Sequence, residues 1–226
     1  MKRARSEARG FTLIELAVTV GVALTVAALA WSSYSRTKPR AALHSVATEL
    51  HALLHSARQA ALASGRDVDV LLYPALDHGS GIGRVVMYAD NAGGFLTCSA
   101  PAGLPDLTTF TPAKPATQSP NEILDSMELP RAVQITKLAH PVALPFPYDL
   151  VEPPGDDGCP FCGTIGGIRG GAIRFDSRGR ASFYGACSTP GPFPNGVTLS
   201  VTAADAQGSR AVVVMANGTV RTFSVE

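Results

Sequence analysis

The sequence predicts an α+β protein, with a long N-terminal helix packed on a C-terminal antiparallel β-sheet domain. Three patterns predict this class. An apolar run from Phe11 to Trp31 is long enough for a helix that crosses a membrane. An apolar stripe with helical spacing follows from Leu43 to Ala61. Beyond Gly65 the chain changes to short β-branched and apolar runs bounded by turn residues, which is typical of strands.

The chain begins with a short basic leader, residues 1–10, which carries four basic residues and one acidic residue. The stretch Gly10–Leu16, with the sequence G-F-T-L-I-E-L, joins this leader to the apolar run. Glu15 therefore lies inside the apolar run. A charge in a membrane helix costs roughly 3 kcal/mol on insertion scales, so an ionisable residue there is a functional candidate.

The basic leader followed by G-F-T-L-I-E-L resembles the processing motif of type IV prepilins. The resemblance implies that a prepilin peptidase cuts between Gly10 and Phe11 and that the new N-terminal Phe11 is N-methylated. It also implies that Glu15 is the carboxylate used in filament assembly.

Two other interpretations of this region remain. The first is an ordinary secretory signal peptide with a small-residue cleavage site at Ala28–Ala30, although the apolar stretch exceeds the usual ~7–15 residues of such a core. The second is a plain membrane anchor in which Glu15 occurs by chance. Both leave a carboxylate without a partner inside the apolar run.

Elementary electrostatics agrees with the prepilin interpretation. A carboxylate in apolar surroundings is tolerated only when it is paired. Cleavage after Gly10 would create an α-amino group on Phe11, one helical turn from Glu15. The spacing allows a pair within one helix as well as a pair between axially staggered subunits, and the resemblance implies the second.

We expect residues 11–35 to form the transmembrane or filament-core helix, with Trp31 and Tyr34 near the membrane surface, where aromatic residues are enriched. Basic residues flank the span on both sides, so the positive-inside bias alone does not orient it. The resemblance implies a single-pass protein of the inner membrane with its C-terminal domain in the periplasm.

Residues 36–65 are predicted to continue the helix as an amphipathic segment. Gly65 is expected to end it, and Pro39 to bend or interrupt it. The predicted buried stripe consists of Leu43, Val46, Ala47, Leu50, Leu53, Leu54, Ala57 and Ala61.

Residues 66–226 are predicted to form a β-rich globular domain, with Asn217-Gly218 as the turn of the last hairpin. The stretches Val85–Gly93 and Ile173–Gly179 are similar to the sheet of minor pilins of the GspH/FimT type. The predicted strands are Val68–Tyr73, Arg84–Ala89, Ile123–Leu129, Ala132–Leu138, Ala172–Phe175, Ala181–Tyr184, Val197–Thr202, Ala211–Ala216 and Val220–Val225.

Two proline-rich stretches, residues 99–120 and 139–171, are predicted to be loops of this domain. They are either insertions that face a partner or surface loops without a function. Loops of this length inside a domain fit both interpretations.

The four cysteines are Cys98, Cys159, Cys162 and Cys187. An even number in an exported domain predicts two structural disulfides, whose connectivity the sequence leaves open. We expect these bridges to tie the proline-rich loop to the sheet. A four-thiolate zinc site is the alternative, but a zinc ribbon would have a second C-x-x-C pair, and a redox-active thiol would have a thioredoxin-like setting.

Charge and motifs exclude several functions. The chain has 19 basic and 18 acidic residues, and removal of the leader leaves 15 and 17. This balance argues against a broad nucleic-acid interface, which needs a clustered basic surface. A G-x-S-x-G nucleophile elbow and a phosphate-binding loop are both absent from the sequence. The sequence therefore predicts a protein that is not an enzyme and has no cofactor or metal site.

The resemblance implies a minor pilin or pseudopilin that primes or caps a type IV pilus or a type II secretion pseudopilus. The implied partners are the prepilin peptidase, other minor and major pilins or pseudopilins, the inner-membrane assembly platform and the membrane itself. The alternative is a DNA-uptake pilin of the FimT type, although this chain ends without that family's basic C-terminal motif. The candidate DNA contacts are Arg174, Arg178, Arg180 and Arg221.

Overall fold

The computed structural model describes residues 12–77, 79, 81–89, 122–138, 143–165, 168–185, 191–204 and 208–225. The chain divides into two compact units, Met1–Lys38 and Pro39–Glu226. Helix α1, Leu13–Ser64, supplies the described helical part of the first unit and then enters the second.

In the first unit, α1 exposes its apolar residues. Within Leu13–Trp31 no side chain of the helix is buried. Pro39 lies inside α1, so the helix is not interrupted at this residue, and the alternative expectation, a bend, stays a prediction. A helix that includes a proline loses one backbone donor and accommodates a ring next to the preceding turn.

In the second unit, α1 is amphipathic as predicted. All eight residues of the predicted stripe are buried, from Leu43 to Ala61. The helix ends at Ser64, and Gly65 adopts a φ of 66° while its N–H donates to the carbonyl oxygen of Ala61 at 3.0 Å. Glycine suits this left-handed position because it has no Cβ, so the predicted C-terminal stop is confirmed.

The described residues form ten strands in two sheets. The strands are β1 Val68–Asp77, β2 Ile82–Ala89, β3 Glu122–Glu128, β4 Val133–Ile135, β5 Gly163–Ile165, β6 Ile168–Phe175, β7 Ala181–Tyr184, β8 Gly196–Ala203, β9 Ser209–Met215 and β10 Val220–Val225. The first sheet has the order β3-β2-β1-β6-β5, with β7 also paired to β6, and the second has the order β10-β9-β8-β4. The strand pairs within both sheets are antiparallel.

One large core joins the buried stripe of α1 to residues of both sheets. Strand β1 contributes Val68, Val70 and Leu72 to this core. Alternate residues of β1 face the other way, and Leu71 and Tyr73 belong to a smaller buried cluster with Val86 and Ala172. Both faces of β1 are therefore buried, which explains why its sequence is nearly continuous in apolar residues.

All nine predicted strands are found, so the α+β class is confirmed. Two predicted boundaries are corrected, and the first is that of the proline-rich stretch predicted as a loop over 139–171. Its last part forms β5 and the beginning of β6, because Gly163–Ile165 pairs with Ile168–Gly170 as a hairpin. The predicted strand Ala132–Leu138 is shorter, since β4 ends at Ile135. The other predicted loop, 99–120, lies outside the described residues.

Residues 143–158, which we call the edge segment, lie along β8 and contain a short 3-10 helix, Tyr148–Leu150. The N–H of Glu152 donates to the carbonyl of Gly196 at 3.1 Å, and its carbonyl accepts from the N–H of Thr198 at 2.8 Å. The N–H of Ser200 donates to the carbonyl of Gly158 at 2.9 Å. The edge segment therefore pairs with the part of β8 that β4 leaves open.

Candidate functional site

Glu15 lies in the first turn of α1, where it forms a capping box with Thr12. The N–H and the Oγ1 hydroxyl of Thr12 both donate to Oε2 of Glu15 at 3.0 Å. In return, the N–H of Glu15 donates to Oγ1 of Thr12 at 3.3 Å. This reciprocal arrangement satisfies backbone donors that a helix N-terminus would otherwise leave unpaired. The T-x-x-E pattern ahead of an apolar run is the sequence signal of such a capping box, which was not among the predicted features.

The side chains that follow Glu15 form an exposed apolar surface. Leu13 is 85% exposed and Trp31 is 75% exposed, and Tyr34 beyond the run is also exposed. Within the described residues, Leu13–Trp31 is the one helical segment long and apolar enough to cross a membrane, by length and composition. An apolar surface of this extent is unfavourable in water and favours contact with lipid or with another apolar surface.

Both predicted processing residues, Gly10 and Phe11, lie outside the described residues. The structure therefore places Glu15 at the beginning of the apolar segment but gives no geometry for a Glu15–Phe11 pair. Glu15 is itself exposed, with Thr12 as its described hydrogen-bond partner.

Cys159 and Cys162 form a disulfide with a Cα–Cα distance of 5.4 Å. This bridge closes a single turn, in which the N–H of Cys162 donates to the carbonyl of Cys159 at 3.2 Å. The expectation that this pair ties the proline-rich loop to the sheet is wrong, because both cysteines belong to the same turn. As a disulfide, the pair also supplies no thiolate for zinc. Cys98 and Cys187 lie outside the described residues.

Arg174, on β6, is held in an internal ion pair. Its Nε and Nη2 donate to the two carboxylate oxygens of Asp69 at 2.8 and 2.9 Å, and Nη1 lies 3.6 Å from a carboxylate oxygen of Asp67. Asp69 is fully buried and the Arg174 side chain is only 16% exposed. The guanidinium also lies 5.6 Å from the ring centroid of Tyr184. These contacts fix Arg174 within the first sheet.

The other candidate DNA contacts lie on two different hairpins. Arg180 pairs with Asp176 at 2.9 Å in the turn between β6 and β7. Arg178 is exposed in that turn, and Arg221 is exposed on β10 of the second sheet. Three of the candidates therefore lie in or next to the turn between β6 and β7, namely Arg174, Arg178 and Arg180. Arg221 lies on the second sheet.

Arg58 of α1 joins the two sheets and was not predicted from the sequence. Its Nε donates to the carbonyl of Gly179 at 3.2 Å, and its Nη2 donates to the carbonyl of Asn217 at 3.5 Å. These carbonyls belong to the β6–β7 and β9–β10 turns, which touch each other. The helical periodicity of α1 does not indicate this contact, because Arg58 lies beside the buried stripe and its partners are distant in sequence.

The described residues contain no group of three or more His, Cys, Asp or Glu side chains that could hold a metal ion. The Cys159–Cys162 pair has already been accounted for as a disulfide. The described features of possible functional interest are therefore the exposed apolar helix with Glu15 at its beginning and the surfaces of the sheet domain.

Comparison with known proteins gives one structural similarity. No protein-family model matches the chain, and no curated protein matches it. Among solved structures, the chain is similar to the minor pseudopilin EpsH from the Type 2 Secretion System of Vibrio cholerae, with 15% identity and a TM-score of 0.36. The alignment covers 80% of this chain and 96% of that chain. A TM-score this low does not establish a common fold, so the α+β assignment depends on this chain's own helix and sheets.

Proposed function

We propose that this chain is a pilin-like structural subunit, a minor pilin or pseudopilin that primes or caps a type IV pilus or a type II secretion pseudopilus. The observation that carries the proposal is the fully exposed apolar segment Leu13–Trp31 with one carboxylate, Glu15, at its beginning. In an anchor alone, glutamine could close the capping box with Thr12 without a charge, whereas a helix that moves from lipid into a filament can use the charge of Glu15 to select its axial position.

In this proposal, residues 1–10 are a leader, 11–35 form the filament-core helix, 36–65 its amphipathic continuation and 66–226 the periplasmic or extracellular domain. A prepilin peptidase cuts between Gly10 and Phe11, and Phe11 is then N-methylated. The resulting amine of one subunit pairs with Glu15 of the next. A subunit at the wrong axial position leaves both charges unpaired in apolar surroundings.

The precursor is proposed to be a single-pass protein of the inner membrane with its sheet domain in the periplasm. Its partners would be the assembly platform and other pilins or pseudopilins, which provide the apolar helices that cover Leu13–Trp31 in the filament. Its role would be structural, not catalytic, and it would need no cofactor.

The N-terminus of the chain tests this proposal. Mass spectrometry of the protein purified from host membranes should find a mature chain that begins with methylated Phe11. The variant Gly10→Val should keep its leader, because a branched side chain would occupy the cleavage position. The matched variant Gly21→Val should be processed normally, since a Cβ at Gly21 meets nothing within 4 Å. An intact Met1 in the parent, or a chain that begins at Trp31, would contradict the proposal.

A further inference from the structure

The edge segment covers a cavity of about 530 Å³ over β8. Apolar side chains, among them Leu144, Val151, Pro153 and Pro154, form most of its walls. Its volume falls in the ~300–1,000 Å³ range typical of ligand sites and exceeds what one side chain needs. The cavity therefore has room for a short run of residues or a small molecule.

Two polar side chains line this cavity. Asp149 is an exposed carboxylate in the 3-10 helix. Thr198 of β8 is 1% exposed, and its hydroxyl oxygen is buried without a hydrogen-bond partner. A buried hydroxyl without a partner is costly, so a polar group that reaches the floor of the cavity would be stabilising there.

The edge segment contains four acidic residues and no lysine or arginine. Asp156 is paired with Lys137 at 2.9 Å and Asp157 with Arg169 at 2.6 Å. Asp149 and Glu152 have no ion pair among the described residues. Of these two, Asp149 lines the cavity, and its carboxylate favours an occupant with a positive charge.

The edge segment also has two exposed apolar side chains that do not line this cavity, and one of them, Leu150, lines a separate cavity with Pro147 and Asn195. Phe146 is 78% exposed and Leu150 is 55% exposed. The segment that presents them is held by hydrogen bonds to β8, and the side-chain amide of Asn195 donates to the carbonyl of Leu150 at 3.0 Å. Adjacent prolines further restrict its backbone, so little conformational freedom would be lost on binding.

We propose that this cavity is a docking site for an extended segment of a partner protein that carries apolar side chains next to a lysine or arginine. The apolar side chains enter the cavity, and the basic side chain pairs with Asp149. Phe146 lies between the lining residues Leu144 and Asp149 in the chain, and its exposed ring offers apolar contact area outside the cavity, which favours a polypeptide over a small molecule. This site does not depend on the proposed role of α1.

Fluorescence anisotropy of a labelled probe peptide, acetyl-Ser-Leu-Lys-Leu-Ser-amide, tests the site on the full chain in phosphatidylcholine nanodiscs. Saturable binding is expected, with much weaker binding of the same peptide carrying Glu in place of Lys. Asp149→Asn should weaken binding about threefold, the size of an exposed ion pair. Ala143→Trp, at an exposed residue of the lining, should block the cavity and weaken binding about tenfold.

Two matched variants control for charge and bulk. Glu49→Gln and Ala63→Trp, both at exposed positions of α1, should bind like the parent. Equal affinity for the Lys and Glu peptides, no saturable binding, or unchanged affinity in both Asp149→Asn and Ala143→Trp would overturn the proposal. Displacement of the peptide by an equal concentration of n-hexylamine would show a site for small organic cations and would also overturn it.

Discussion

At the scale of single residues, Glu15 combines two functions that substitution can separate. Its carboxylate closes the capping box with Thr12, and in the proposed filament it also pairs with the amine of a neighbour. Glutamine serves as well as glutamate at this capping position because its side-chain oxygen is also an acceptor. Alanine removes both functions.

We predict that Glu15→Gln keeps the helix but fails to assemble. The neighbour's amine would lose its partner in apolar surroundings, at a cost on the order of 3 kcal/mol, so the fraction of the chain that sediments with host-cell filaments should fall at least about tenfold. Circular dichroism of the full chain in detergent should show parental helicity for Glu15→Gln and reduced helicity for Glu15→Ala. Parental assembly of Glu15→Gln would contradict a role for the charge.

The stability of the fold is expected to depend on pH through the carboxylate of Asp176. Burial alone would raise the pKa of Asp176, but hydrogen bonds from the backbone and side chain of Arg180 and the backbone of Arg178 together lower it. A lowered pKa in the folded state means that the ionised carboxylate stabilises the fold above the ordinary pKa of aspartate. This stabilisation is lost as the pH falls through the lowered pKa.

We therefore predict that Asp176→Asn is less stable than the parent at neutral pH by about 1 kcal/mol, since the variant keeps an acceptor but loses the charge. The difference should shrink as the pH is lowered below about 3.9, the ordinary aspartate pKa. Thermal unfolding of both full chains in a non-ionic detergent, followed by circular dichroism, measures it. A difference that stays constant or grows toward acid pH would refute the prediction.

The sequence identified Glu15 as a functional candidate, but it did not reveal the partners of Arg174 or Arg58. Glu15 stands out because its environment along the chain is apolar, which is a local property. Arg174 pairs with Asp69, and Arg58 with carbonyls near Gly179 and Asn217, and all these partners are more than a hundred residues away. Such contacts depend on tertiary structure, which no local pattern encodes.

At the scale of elements, the amphipathic half of α1 and most strands were predicted because burial of one or both faces leaves a recognisable apolar pattern in the sequence. The stripe of α1 has helical spacing, and β1 has a nearly continuous apolar run. Strand β5, Gly163–Ile165, was missed because it has three residues and begins with glycine. The edge segment was missed for a different reason, since its prolines disfavour a regular strand while its other backbone groups still bond to β8.

The contact between the two hairpin turns gives the prediction at this scale. Gly218 has a φ of 80°, and a Cβ there would lie 1.8 Å from the carbonyl oxygen of Gly179. Gly79 has the same φ, but a Cβ there would meet nothing within 4 Å. Gly79→Ala therefore isolates the cost of the left-handed backbone, while Gly218→Ala adds the steric conflict between the turns.

We expect Gly79→Ala to lower the free energy of unfolding by about 1 kcal/mol and Gly218→Ala to lower it by about 3 kcal/mol or more. For a domain of this size the larger value corresponds to a fall in Tm of roughly 6–12 °C. Thermal unfolding of the two full-length variants in detergent compares them directly. If both variants unfold at the same temperature, close packing of the two turns does not contribute to stability.

At the scale of the whole molecule, the sequence predicted the kinds of element and their order but not the division into two sheets. Strand β6 pairs with β1 at a distance of about a hundred residues along the chain, and β4 joins β8 in the other sheet. These pairings depend on how buried faces match across the common core. Local alternation indicates that a face is buried, but it does not specify which strand covers it.

The distribution of charge over the whole molecule argues against DNA as a partner. Arg174 is fixed by Asp67 and Asp69, and Arg180 by Asp176. Without the leader, acidic residues outnumber basic ones, 17 to 15. Nucleic-acid affinity depends on the number of phosphates neutralised by clustered basic residues, and the paired arginines offer few.

We predict that the full chain in detergent does not retain duplex DNA in a mobility-shift titration, even at about 50 mM salt, where phosphate contacts are strongest. The variant Arg178→Glu/Arg221→Glu reverses the charge of the two exposed candidates and should behave like the parent, since neither residue would be in contact with DNA. Retention that saturates with the parent, weakens as salt is raised and disappears in this double variant would refute the prediction. It would then establish a nucleic-acid surface that spans both sheets, because Arg178 and Arg221 lie on different ones.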